Sequence, residues 1–98
     1  MSTGTALLEV AGERSRQDQL HGFPVLADGT DPRSAAWAVI LAGARMSNDT
    51  GGATWATILL EEVAEALLEE DRALIRAELV QVAAVAVKWV EAIDRDSG

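Results

Sequence analysis

Between Thr54 and Asp94 the apolar residues return at the period of an α-helix, with one interruption at Glu70-Asp71-Arg72. This pattern constrains the fold more than any other feature of the chain. Strand signals are nearly absent: there is no useful period-two alternation and no hairpin turn between β-branched runs. The Val-rich run at 82–87 could form a strand in isolation, but its alanines and its place inside a helical segment favour helix. The spacing therefore predicts a helix over 54–70 and another over 71–94, with Asp71 as the cap of the second.

The first half adds two more helices. Leu7, Leu8, Val10 and Ala11 followed by a polar stretch predict a helix over 6–19, ended by His21-Gly22-Phe23-Pro24. Asp31-Pro32 reads as N-cap and first helical position of a helix reaching about Arg45. The run 47–52, Ser-Asn-Asp-Thr-Gly-Gly, reads as the clearest linker, with Asn48 and Asp49 as loop residues. Residues 1–5 and 96–98 are expected to fray. The result is an all-α fold of about four helices in a single domain over 1–98, its last two helices long and antiparallel across a short connection.

Composition limits the chemistry. Sixteen acids against eight bases give a net charge of −8, which argues against a nucleic-acid polymer as partner. With no Cys and one His, thiol catalysis, Cys-ligated zinc and a Ser-His-Asp triad are excluded or disfavoured. The opening residues have neither a basic n-region nor an apolar h-region, and the run 35–42 is too short to span a bilayer. A soluble, cytoplasmic protein with no membrane association is expected. Helix 71–94 is apolar nearly all round from Leu79 to Val87, so it needs cover on several sides. We expect the bundle to be completed by a homodimer or higher homo-oligomer packed through the last two helices.

The acids are patterned. Glu61, Glu62, Glu65 and Glu69 fall within an arc of about 100° on the third helix. On the fourth, Glu78, Gln81, Val85 and Lys88 share an arc of about 80°. The segment 47–71 contains no Lys or Arg, so the first cluster lacks local neutralisation and a cation is the natural missing charge. Antiparallel pairing brings Glu62/Glu65 opposite Glu78/Gln81, four oxygen donors suited to Mg²⁺ or Mn²⁺. A solvated acidic face is the plain alternative. Lys88 lies further along the same face, placed for the far end of an anionic ligand. Trp37, Trp55 and Trp89 are three of four aromatics. Trp55, ahead of the cluster, could stack a base or serve the core, and His21 could touch a base or ribose or simply pack the loop.

Glu-Glu-x-x-Glu at 61–65 and Glu-x-x-Gln at 78–81 resemble the Glu-Glu-x-x-Glu … Glu-x-x-Asp signature of the MazG-like all-α nucleoside triphosphate pyrophosphohydrolases. Dimeric dUTPases and phosphoribosyl-ATP pyrophosphohydrolase are relatives of that superfamily. The resemblance covers roughly 13–95 and is strongest over 54–93. The polar run ERSRQDQLHG also looks like the family's opening helix. It implies Glu62, Glu65 and Glu78 as Mg²⁺ ligands, with Glu61 a ligand or the group that orients the attacking water. Gln81 stands where the family has Asp and brings no charge. The implied reaction is hydrolysis of a nucleoside triphosphate to monophosphate and pyrophosphate, with Lys88, Arg14 and Arg16 meeting phosphate. Because of Gln81, a non-catalytic nucleotide or metal sensor is an alternative, as is a helical interaction module.

Overall fold

The computed structural model describes residues 2–97. It contains four helices: α1 (Thr3–His21), α2 (Ala35–Asp49), α3 (Trp55–Leu67) and α4 (Arg72–Ser97). No strand occurs among the described residues. The all-α expectation holds. The helices belong to two compact units, one of Met1–Asp28 with Val87–Gly98 and one of Gly29–Ala86.

Capping sets where the helices begin, and here the structure departs from the sequence reading. Of the two ends expected to fray, residues 2–5 instead start a helix, where the Ser2 hydroxyl accepts from Thr5 N–H at 3.2 Å, and residues 96–97 continue α4; Met1 and Gly98 lie outside the described residues. α2 begins at Ala35 with Ser34 as its N-cap, not at Asp31. The Asp31 carboxylate turns onto Arg33 N–H at 2.9 Å, the local turn that short acidic side chains favour. The same residue's own N–H donates to the Leu67 carbonyl at 3.0 Å, satisfying one of the bare carbonyls at the end of α3. Asp71 does cap α4, accepting from Ala73 and Leu74 N–H at 2.8 and 3.2 Å.

α2 also runs further than its sequence predicts, taking in Ser47, Asn48 and Asp49. These residues favour turns, but tertiary packing overrides a preference of a few tenths of a kcal/mol, on the order of the ordinary propensity differences. Asn48 is tied to α3 by three hydrogen bonds, so unwinding it would break all of them. The chain then turns through Gly51, whose φ of 85° requires glycine. α3 opens on a capping box between Thr54 and Thr57 and ends at Leu67, three residues earlier than the spacing suggested.

In the second unit α2 packs on α3. Its most buried side chains are small: Ala64, Ala66 and Ala44, with Ile75 from α4. Alanine lets the backbones approach closely but buries little area per residue. In the first unit Ala6 and Val87 are buried, and Thr3 Oγ1 donates to the nearly buried Glu91 at 2.6 Å. Phe23, Val25 and Leu26 are exposed. No helix among the described residues is long and apolar enough to cross a membrane.

Candidate metal centre

α3 ends at Leu67 and α4 begins at Arg72, so the chain reverses within a few residues. This places the last two turns of α3 beside the second turn of α4. Glu62, Glu65 and Glu78 each bring one carboxylate oxygen within 4.8 Å of the others, and all three are half-buried. Around a hard octahedral cation with bonds near 2.1 Å, adjacent oxygens lie about 3.0 Å apart and opposite ones about 4.2 Å. The three oxygens would have to draw inward to hold one such ion.

Electrostatics point the same way. The Glu62 carboxyl is pushed above the ordinary 4.5 first by desolvation, then by the charges of Glu65, Glu78 and Glu61. Glu78 is also raised, by desolvation first, then by the charge of Glu65, a hydrogen bond shared with it, and the charge of Glu69. A carboxyl raised by burial and like charge is one that a cation would return to its ionised form.

One expectation is corrected. The cluster is not without local neutralisation: Arg45 on α2 reaches Glu65 Oε1 with Nη2 at 3.3 Å. The absence of bases from 47–71 is real, but the relevant base lies just before that stretch and arrives through α2–α3 packing. The pair is half in solvent, with the Arg45 side chain 54 % exposed, so it offsets only part of the repulsion.

Glu61 stands apart from the triad's oxygens and has its own support. Asn48 Nδ2 donates to Glu61 Oε1 at 3.0 Å, while Thr57 Oγ1 donates to Asn48 Oδ1 at 2.7 Å. Thr57 is in turn part of the α3 capping box. The start of α3 thus fixes the orientation of a carboxylate one turn further on. Sequence reasoning assigned Asn48 to the linker and missed this role, and no local signal marks it. Glu69, on the same acidic arc, bends back to accept from Glu70 and Asp71 N–H at 3.0 and 3.5 Å.

The remaining site candidates lie as follows. Gln81 is exposed, one turn beyond Glu78. Trp55 is the half-buried first residue of α3. Lys88 is exposed on the part of α4 that belongs to the first unit. Arg14 and Arg16 sit on α1 and are engaged locally: Arg14 with Asp18 at 2.9 Å, Arg16 with Glu13. Arg14 also lies 5.9 Å from the centre of the Phe23 ring. His21 closes α1 and shares with Arg14 and Phe23 a shallow hollow of about 380 Å³, in the first unit. Asp18 is the one carboxylate lining that hollow, and the carboxylate cluster lies instead at Glu62, Glu65 and Glu78. Compared with protein-family models, curated proteins and solved structures, the chain matches none.

Proposed function

We propose that this protein is a Mg²⁺-dependent pyrophosphohydrolase of house-cleaning type in the cytoplasm. It would cleave a nucleoside triphosphate or modified nucleotide to the monophosphate and pyrophosphate. The observation that carries the reading is the convergence of Glu62, Glu65 and Glu78 from two helices within 4.8 Å. The nucleotide as substrate is supported by the likeness of 61–65 and 78–81 to the MazG-like signature.

A bound Mg²⁺, or Mn²⁺, supplies Lewis acidity toward phosphate oxygens and a more acidic coordinated water. Glu62, Glu65 and Glu78 would hold the ion. Glu61, held in place by Asn48, would accept the proton of the attacking water. Arg45, paired with Glu65 at the edge of the triad, would be the nearby cation able to meet a phosphate oxygen.

The test is pyrophosphate release from a panel of common and modified nucleoside triphosphates, with and without Mg²⁺. Mg²⁺-dependent turnover of at least one member is expected. Binding without turnover would favour the sensor reading, for which the uncharged Gln81 is the motivating feature. Neither binding nor turnover would leave a helical interaction module.

A further inference from the structure

The two ends of the Asn48 carboxamide have fixed partners. Its Nδ2 donates to Glu61 Oε1 at 3.0 Å and to the Thr57 carbonyl at 3.4 Å. A carboxylate and a carbonyl can only accept, so the amide turned end for end would set its oxygen against two acceptors. The other end meets the Thr57 hydroxyl. Thr57 Oγ1 accepts from Thr54 N–H at 2.8 Å, a backbone group that can only donate. Its single proton therefore points onward, to Asn48 Oδ1 at 2.7 Å or to the Thr54 carbonyl at 3.1 Å. The shorter contact is the one to Asn48.

We infer that Thr57 is a positioning residue for Glu61, acting through Asn48, and that Glu61 Oε2 is the oxygen that takes the proton of the attacking water. The inference rests on the pyrophosphohydrolase reading, in which Glu61 is the base. The direction of each hydrogen bond carries it. From Thr54 N–H through the Thr57 hydroxyl and the Asn48 carboxamide to Glu61, every donor faces an acceptor. The series starts at a backbone group fixed by the helix start and ends on Oε1. Oε1 is committed to the amide, and Oε2 is the oxygen left for water.

A free glutamate samples several rotamers about its side-chain bonds, whereas a base must lie within about 2.6–3.2 Å of the proton it takes. Tying down one oxygen removes that freedom before substrate arrives. Asn48, Thr57 and Glu61 are all half-buried and all belong to the second unit, so water competes less for these bonds than on an open surface.

The residue type at 57 fits the role. The usual partner of a capping Ser or Thr is Glu or Gln three residues on. A carboxylate there would close the box but would have no proton to give Asn48. Threonine closes the box and donates as well.

The test compares three variants with the wild-type chain. Thr57→Val keeps the branched shape without the hydroxyl, and kcat for pyrophosphate release should fall about tenfold or more with Mg²⁺ affinity unchanged. Thr57→Ser should restore kcat. Thr54→Ala weakens the same helix start but leaves the Thr57 hydroxyl, and should keep kcat. Exchange of the Asn48 side-chain amide protons with solvent, followed by NMR, reads the bonds without any turnover; Thr57→Val should speed it by about fivefold or more. Should Thr57→Val not fold, Asn48→Asp replaces only the donor to Glu61 and should lower kcat at least as far. Full kcat in Thr57→Val or Asn48→Asp overturns the inference while the pyrophosphohydrolase reading stands. Equal losses in Thr57→Val and Thr54→Ala overturn it too, leaving Thr57 a helix cap alone. A wild-type chain that turns over no nucleotide sinks the reading itself, and the inference with it.

Discussion

Arg45 on α2 and Glu65 on α3 meet at 3.3 Å across twenty residues of sequence, so that a fixed cation shares a carboxylate with the candidate metal centre. The arrangement makes the guanidinium a competitor for the metal. Replacing Arg45 with Gln removes the competing charge and should tighten Mg²⁺ or Mn²⁺ binding, by up to about fivefold for a half-exposed pair. Calorimetric titration measures this directly. Weaker binding in the variant would mean that Arg45 supports the site rather than competing with it.

Removing a ligand acts in the opposite sense. Glu65→Gln should abolish Mg²⁺-dependent turnover and leave the helical fold intact, since it also relieves repulsion with Glu62 and Glu78. Activity assay and circular dichroism on the same preparation separate the two effects. Surviving activity would show that the metal is held elsewhere.

Gln81 offers the complementary gain. Gln81→Asp adds a charged oxygen one turn after Glu78 and should raise both metal affinity and turnover. If turnover is unchanged while affinity rises, Gln81 does not limit catalysis.

The raised carboxyls of Glu62 and Glu78 also set a pH dependence. Above the ordinary 4.5 the unfolded chain has released these protons while the folded chain still holds them. The folded state then binds more protons, so stability falls as pH rises through the window just above 4.5 until both groups are ionised. Glu13, held low by Arg16, acts on the other side, losing its contribution below 4.5. Urea midpoints of the metal-free protein should therefore be lower at pH 7 than near pH 5. Saturating Mg²⁺, or the double change Glu62→Gln with Glu78→Gln, should flatten the trend.

Asn48 tests the positioning of Glu61. Asn48→Ala removes its bonds to Glu61 and Thr57 and should cost about 1 kcal/mol or somewhat more in stability. Turnover should fall further than metal affinity, because Glu61 lies outside the triad that holds the ion. Equal losses in both would place Asn48 in a purely structural role.

The helices were legible because their determinants are local. The 3.6-residue period from Thr54 onward, the turn-forming residues at 21–30 and the Asp71 cap are all read within a few residues of sequence. Boundaries were less so. Asp31-Pro32 carries a good helix-start pattern, yet Ser34 is the cap, since an Asp side chain can equally close its own turn. Ser47-Asn48-Asp49 reads as linker and is helix, because Asn48 finds partners on α3 that no local propensity reveals.

By itself the sequence determined that this chain is helical, that its acids gather on one arc of α3, and that Glu78 follows at a spacing a short turn could bring back. Periodicity and charge pattern are properties of neighbours along the chain. Tertiary structure alone decided that Glu62, Glu65 and Glu78 converge, that Arg45 supplies the charge missing from 47–71, and that Asn48 governs Glu61. Those are contacts between helices, fixed by which alanines let α2 and α3 pack closely and by where each helix is capped. Neither quantity is written in the spacing of the residues that meet.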